Sequence, residues 1–262
     1  MKRSTFVAAI LAAVGVMLWT PVPRHIRSEN YSDCLTTTKR RVAIVMFSTP
    51  GIVPKYAGMA AKINEAYARR HGYSFKHTVV PIPPHDRRAM VWGMVHTLRE
   101  ALREAPADRG HPDRGDRGDR GVDAVFYIDS DAVFNRPDTP LDWLFDVDGD
   151  VVGCSDSPNG LSLINTGTLF VRNTPRGRYL LDQWWSMRDD PKYAVFPYEQ
   201  QALEDLARSS HGAGIVVRPA EEFNSVWGAL RRGKRDTFVL HFMAHSDAER
   251  TQEFARIVQR DR

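Results

Sequence analysis

The sequence predicts an α/β fold organised around a mostly parallel sheet. Three observations carry that expectation. Apolar, β-branched runs alternate with stretches of helical period, the order that feeds parallel strands. The chain has 262 residues and 42% apolar content, enough for one large domain or two small ones and too apolar for a disordered chain. One apolar run, AVFYI at 124–128, ends in two carboxylates, Asp129 and Asp131, and α/β folds bind ligands beyond the carboxyl ends of such strands.

The N-terminus departs from this pattern. Lys2 and Arg3 precede an uncharged run of 14 residues, FVAAILAAVGVMLW at 6–19. As a helix it is roughly 21 Å long, short for a hydrocarbon core of about 30 Å and closer to a signal-peptide core. No small-x-small cleavage site follows it. Residues 1–20 are expected to form an uncleaved signal-anchor, giving a single-pass type II membrane protein with the rest of the chain outside the cytosol. A cleaved signal peptide on a secreted protein and a buried N-terminal helix are the alternatives. Arg24 and Arg27 balance Lys2 and Arg3, so the flanking charge leaves the orientation weakly determined. Residues 21–40, polar and proline-containing, read as a stem.

RVAIVMFS at 41–48, stopped by Thr49, Pro50 and Gly51, predicts the first strand. Pro54 opens a helix with Met59, Ile63 and Tyr67 on one face, and Gly72 ends it. FKHTVV at 75–80 predicts a second strand. Asp86 then caps a helix whose Met90, Val91, Met94, Val95, Leu98 and Leu102 form one apolar stripe. Residues 106–121 contain four Asp-Arg-Gly triplets that can bury no core and read as a solvated insertion loop. After the carboxylates, 151–173 predicts a short strand, a loop bearing glycine and asparagine, and a strand over 169–172. RGRYLLDQWW at 176–185 and EQQALEDLARSSHG at 199–212 predict helices. GIVVRP at 214–219 and DTFVLHF at 236–242 predict strands, and 246–262 reads as a polar tail with some helical character.

Composition excludes several function classes. The net charge of +4 comes from scattered arginines without a basic block or aromatic interleaving, which argues against nucleic-acid binding. Cys34 and Cys154 are the only cysteines, too few for a zinc cluster or a disulfide framework; they are free thiols or one bridge.

The carboxylate pair carries the chemistry. In a strand, residues i and i+2 point to one face. Two carboxylates held together repel, and a hard cation such as Mn²⁺ or Mg²⁺ removes that cost while keeping positions open for phosphate oxygens. Context alone leaves Asp129 and Asp131 as either a metal site or a strand-end turn. DVDGD at 146–150 repeats the spacing but lacks a preceding strand and reads as a polar turn; Val151 stands where a calcium loop needs glycine. His241, at the end of another apolar run, is either a core histidine or an imidazole ligand completing an Asp-Asp-His set.

Several segments taken together resemble the retaining galactosyl-, mannosyl- and xylosyltransferases of the fungal Golgi and of plant xyloglucan synthesis. They are FYIDSDAVF at 126–134, NGLSLINTGTLFVRN at 159–173, QWW at 183–185, EQQAL at 199–203, EFNSVW at 222–227 and DTFVLHFMA at 236–244. The resemblance runs from about residue 41 to 245. It implies one Rossmann-like glycosyltransferase domain of the GT-A type with a mixed, mostly parallel sheet, placed in the Golgi or an equivalent secretory lumen. It also implies a nucleotide-sugar donor, a glycan or glycoconjugate acceptor, and Mn²⁺ or Mg²⁺ as cofactor. By position it implies metal ligation by Asp129, Asp131 and His241, and donor contacts from Ser48, Thr49, Arg88, Ser130, Asn165 and Gly167. Gln200 is implied beside the anomeric carbon, with Glu199 on sugar hydroxyls and as the fallback nucleophile. Tyr198 departs from the family's acidic residue at that place, His245 and Ser246 stand in the acceptor-side region where plant members carry cysteine and lysine, and the Asp-Arg-Gly tract is foreign to the pattern.

Two rival readings follow from the residues. IDSDAV also fits the haloacid-dehalogenase phosphatases, with Asp129 as a phosphorylated nucleophile, although that motif opens its domain and here two strand-helix units precede it. A non-catalytic sugar-binding protein of the same fold is the other.

Overall fold

Continuous apolar runs become the buried strands, and the helical stripes cover them. A computed structural model describes residues 39–83, 85–104, 121–155, 164–225, 233 and 235–260 of the protein. The expected anchor, nearly all of the stem with Cys34, most of the Asp-Arg-Gly tract, Asp156, and the first part of the asparagine-x-glycine segment lie outside the described residues.

β1 (Val42–Ser48), β3 (Ala124–Ile128) and β6 (Ile164–Arg172) form the middle of a six-stranded sheet and are buried almost throughout. With β2 (Ser74–Val79), β5 (Val151–Ser155) and β7 (Ile215–Arg218), the strand order is β2-β1-β3-β6-β5-β7. β1 runs parallel to β2 and β3, and β5 parallel to β7; β6 is antiparallel to both its neighbours. The sheet is therefore mixed and mostly parallel. Burial on both faces is why β1 and β3 read as apolar runs without alternation, while the edge strands β2 and β7 are partly exposed.

One face is covered by α1 (Gly58–His71), preceded by helical turns from Pro50 that include Pro54, and by α6 (Asp247–Arg260). Gly72 ends α1 at φ 71°, a left-handed position suited to glycine. The other face carries α2 (Arg87–Glu104), α3 (Pro175–Ser186) and α4 (Glu199–Arg208). Asp86 caps α2 as expected, its Oδ1 accepting from Ala89 N at 2.8 Å. α5 (Ala220–Phe223) is a single turn after β7.

Three segments differ from the sequence expectation. β6 begins at Ile164 rather than 169, because Asn165, Thr166 and Thr168, which look like loop residues, are buried within a paired strand. The last strand, β8, is only Val239–His241, and it pairs with the short β4 (Ala132–Phe134) in a separate two-stranded sheet. Residues 247–260, read as part of a tail, form α6, whose Phe254 and Ile257 join the core. Among the described residues no helix is long and apolar enough to cross a membrane.

Asn64 fixes the turn after the carboxylates. It is fully buried on α1, donates to Ala132 O at 3.0 Å and accepts from Phe134 N at 3.2 Å. One helix side chain thus satisfies both backbone groups of β4 that face it.

Candidate metal and donor site

β3 ends at Ile128 and the chain turns back at once. Asp129 N donates to Gly167 O on β6 at 2.8 Å, and Ala132 N donates to Asp129 O at 3.0 Å. Asp129 and Asp131 therefore sit in a fixed turn between β3 and β4. The β4–β8 register pairs Ala132 with His241, which brings the imidazole to that turn. His241 Nε2 lies 3.1 Å from Asp131 Oδ1 and 3.6 Å from Asp129 Oδ2. One ligand atom from each residue falls within 4.8 Å of the others, so the three can hold a divalent cation.

Gly167 makes room for this arrangement. A Cβ there would lie 2.2 Å from His241 Cε1 and 2.7 Å from Asp129 Oδ2. Two carboxylate oxygens and one imidazole nitrogen, closed on one side by a glycine, suit a hard or borderline cation.

Neighbouring groups orient each ligand. Tyr127 donates its hydroxyl to Asp129 Oδ1 at 2.7 Å. Arg250 on α6 places Nη2 2.9 Å from Asp131 Oδ2, and its guanidinium lies 5.1 Å from the Tyr56 ring centroid. Asn224 is buried; its Nδ2 reaches His241 Nδ1 and Asn165 Oδ1, each at 3.1 Å. Asn165 Oδ1 also accepts from Gly167 N at 3.0 Å. Outer hydrogen bonds of this kind set the orientation of a ligating imidazole.

The charges are unequal in their settings. Enclosure by protein raises the Asp129 carboxyl above its usual range, and the charge of Asp131 adds to this against the pull of His241. At Asp131 the same enclosure is outweighed by His241 and Arg250, which hold its carboxyl below the usual range.

The pair opens onto a cavity of about 320 Å³. Ser48, Thr49 and Ser130 line it together with Asp129, Asp131 and Glu199. Met90, Val91 and Met94 of α2 supply an apolar wall. Ser48 Oγ is 2.7 Å from His77 Nε2, and burial lowers the His77 pKa.

Glu199 starts α4 after Tyr198, whose φ of 53° is uncommon for a residue with a side chain. Its Oε1 accepts from Thr166 Oγ1 at 3.0 Å, while the buried Oε2 has no partner among the described residues. Burial pushes its carboxyl up to about 7, against its own backbone N–H and the Thr166 hydroxyl. Trp184 Nε1 donates to Glu199 O at 2.8 Å and ties α3 to this helix start. Gln200 Oε1 lies 3.4 Å from Thr166 N, beside the same strand.

Arg88 is elsewhere. It donates to Arg188 O and pairs with Asp189 at 3.2 Å, lining a different cavity on the far flank of α2. Asn165 and Gly167 do not line the carboxylate cavity; their polar atoms and lack of bulk support the ligands instead.

Four supporting residues were missed in the sequence. Tyr127 had a usable signal, since i−2 from Asp129 places it on the same strand face. Asn224 lay within the asparagine segment without a stated role. Thr166 and Arg250 gave none, because reading them needs the long-range pairing of β6 with α4 and of α6 with β4.

Residues 119–253, more than half of the chain, match the family model for nucleotide-diphospho-sugar transferases. No curated protein sequence matches the chain. Similar solved structures include a glycosyltransferase involved in glycosylation of the major capsid of PBCV-1, at TM-score 0.67 and 20% identity over 82% of this chain and 98% of that one. The galactosyltransferase LgtC with donor and acceptor sugar analogs gives 0.47 and 18%, over 82% and 95%. GlyE of Streptococcus pneumoniae TIGR4 gives 0.47 and 12%, over 85% and 63%. The first of these likenesses supports the GT-A type of fold.

Proposed function

The chain belongs to the nucleotide-diphospho-sugar transferase family and is a glycosyltransferase, and from that premise we propose a metal-dependent, configuration-retaining transfer. A hexosyl or pentosyl group passes from a nucleotide-diphosphate sugar to a hydroxyl of a glycan or glycoconjugate, in the manner of the galactosyl-, mannosyl- and xylosyltransferases the sequence resembles. Membership of the family sets aside the phosphatase reading of Asp129 and the non-catalytic one. The observation that carries the proposal is the convergence of Asp129, Asp131 and His241 at the edge of a cavity that the two carboxylates line together with Glu199.

Asp129, Asp131 and His241 would hold Mn²⁺ or Mg²⁺, which when bound supplies Lewis-acid stabilisation of the leaving diphosphate. The chain's own residues do the rest. Ser48, Thr49 and Ser130 bind the nucleoside and phosphate side of the donor. The free Oε2 of Glu199 meets a sugar hydroxyl, which removes the cost of an unsatisfied buried oxygen. As the bond from the anomeric carbon to phosphate oxygen breaks, positive charge develops on the sugar ring. The Gln200 amide oxygen is poorly nucleophilic and stabilises that charge without forming an adduct. The acceptor oxygen bonds to the anomeric carbon from the face the diphosphate leaves, and the acceptor proton passes to the leaving phosphate. Retention follows without a dedicated protein base.

A nucleotide-sugar panel tests this reading. Thermal shifts with and without Mn²⁺ identify the donor, and proton NMR of the first product formed reads its anomeric configuration. Inversion would overturn the mechanism. We further propose that residues 6–19 anchor the enzyme with its catalytic domain in the secretory lumen. Release of the full chain from membranes by alkaline carbonate would contradict the anchor.

A further inference from the structure

A second cavity, of about 300 Å³, lies on the other flank of α2, at the low end of the range for ligand pockets. Asp86, Arg88, Trp92, Trp185, Arg188 and Asp189 form most of its wall. Trp92 is 3% exposed, and its indole Nε1 has no hydrogen-bond partner among the described residues. A buried donor of that kind is costly unless a ligand oxygen or water meets it.

The wall selects for a class of ligand. Arg188 pairs with Asp189 at 2.9 Å, Arg88 pairs with the same carboxylate, and Asp86 adds a second acid. Two guanidinium groups share the Asp189 carboxylate and Asp86 stands nearby as a second acid, so an anion meets the acids and a cation meets the arginines. A neutral polyhydroxylated ligand finds both donors and acceptors, beside Trp185, whose ring carries the Arg188 guanidinium at 4.5 Å and the Arg99 guanidinium at 5.1 Å from its centroid.

Its position relates it to the transfer site. Met90, Val91 and Met94 of α2 line the donor cavity, whereas Arg88, Ala89 and Trp92 line this one, so a single helix about 10 Å across separates the two. From Asp189 the chain runs through residues 190–198 to Glu199. On that path Val195 and Phe196 are 65% and 79% exposed, an unusual apolar tip.

We propose that this cavity is a distal acceptor subsite that holds a neutral sugar unit of an acceptor glycan. The inference rests on the transferase reading and makes the acceptor an oligosaccharide rather than a small aglycone.

Saturation-transfer NMR with neutral gluco-, galacto-, manno- and xylo-oligosaccharides, from di- to hexasaccharides, tests it in the absence of donor and metal. The native protein is expected to bind at least one series more tightly as its chain lengthens. Ala89→Phe, which fills the cavity from an exposed helix position, and Trp185→Ala should each weaken that binding about fivefold, the scale of one aromatic contact. Val217→Ala, an exposed change on β7 outside both cavities, should bind the glycan as the native protein does. No transfer from any series, or equal binding by Ala89→Phe, overturns the proposal. A metal-dependent thermal shift with a nucleotide sugar is read separately on the same samples. Its presence without glycan binding sinks only the subsite; its absence from the native protein counts against the transferase reading.

Discussion

Gly167 and His241 occupy adjoining space so closely that a Cβ on the glycine would lie 2.2 Å from the imidazole Cε1. The same atom would lie 2.7 Å from Asp129 Oδ2. Two of the three candidate ligands therefore depend on a missing methyl group in β6. Gly167→Ala is expected to cost about 1–3 kcal/mol in urea unfolding, the usual scale of overpacking. It should also abolish the Mn²⁺-dependent thermal shift. An alanine variant that keeps that shift at native strength would show that the ligands are not packed as described.

Arg250 is the only guanidinium that the described residues place on Asp131, at 2.9 Å, with both side chains about 15% exposed. Asp131 is depressed below its ordinary value, so its stabilising share is present above the unfolded pKa and fades as pH falls through the folded one. Arg250→Ala should lower stability at pH 7 by roughly 1–3 kcal/mol, because it strips a partner from a mostly buried carboxylate. Added Mn²⁺ should recover part of that loss, since a cation then serves Asp131. Equal losses with and without Mn²⁺ would count against the shared role.

Glu199 is the opposite case. Its carboxyl is pushed up to about 7 by burial. A raised carboxyl contributes stability that is fully present below the unfolded pKa and is lost as pH climbs through the folded value. Native stability should therefore carry a downward slope of about 3 kcal/mol between pH 4.5 and 7 from this group. Glu199→Gln should flatten that slope when urea unfolding is repeated across the window. An unchanged slope would place the titration elsewhere.

Much of the fold was legible because burial on both faces writes itself as continuous apolar runs. β1 and β3 are of this kind, whereas α2 was legible from its helical stripe and the end of α1 from the left-handed Gly72. The candidate ligands were nominated by two carboxylates after a buried strand, a context that a strand-end turn shares, and it is the β4–β8 register that brings His241 to them. What escaped depended on long-range pairing. The polar start of β6 looks like a loop until Asn165 is seen bonded to Gly167 N and Asn224. α6 looked like a tail because only Phe254 and Ile257 of its length are buried. Arg88 was assigned by its place in the chain, and the orientation of α2 sends it to the other flank.

Asn64 should matter to the site although it touches none of the candidate ligands. It serves Ala132 O and Phe134 N, the backbone of the strand that follows Asp131. Asn64→Ala orphans two buried backbone groups at about 1–3 kcal/mol each. Mn²⁺ affinity should fall with stability. A variant that loses stability but binds Mn²⁺ as before would show that β4 does not hold Asp131 in place.

The central claim is that one divalent cation sits among Asp129, Asp131 and His241 and grips a nucleotide diphosphate. Calorimetric titration of Mn²⁺ into the protein, with UDP and with GDP, tests it directly. The account predicts uptake of a single ion that nucleotide strengthens, and a loss of about a hundredfold or more in Asp129→Asn, Asp131→Asn and His241→Ala. No uptake with either nucleotide, or undiminished uptake in the three variants, would contradict it.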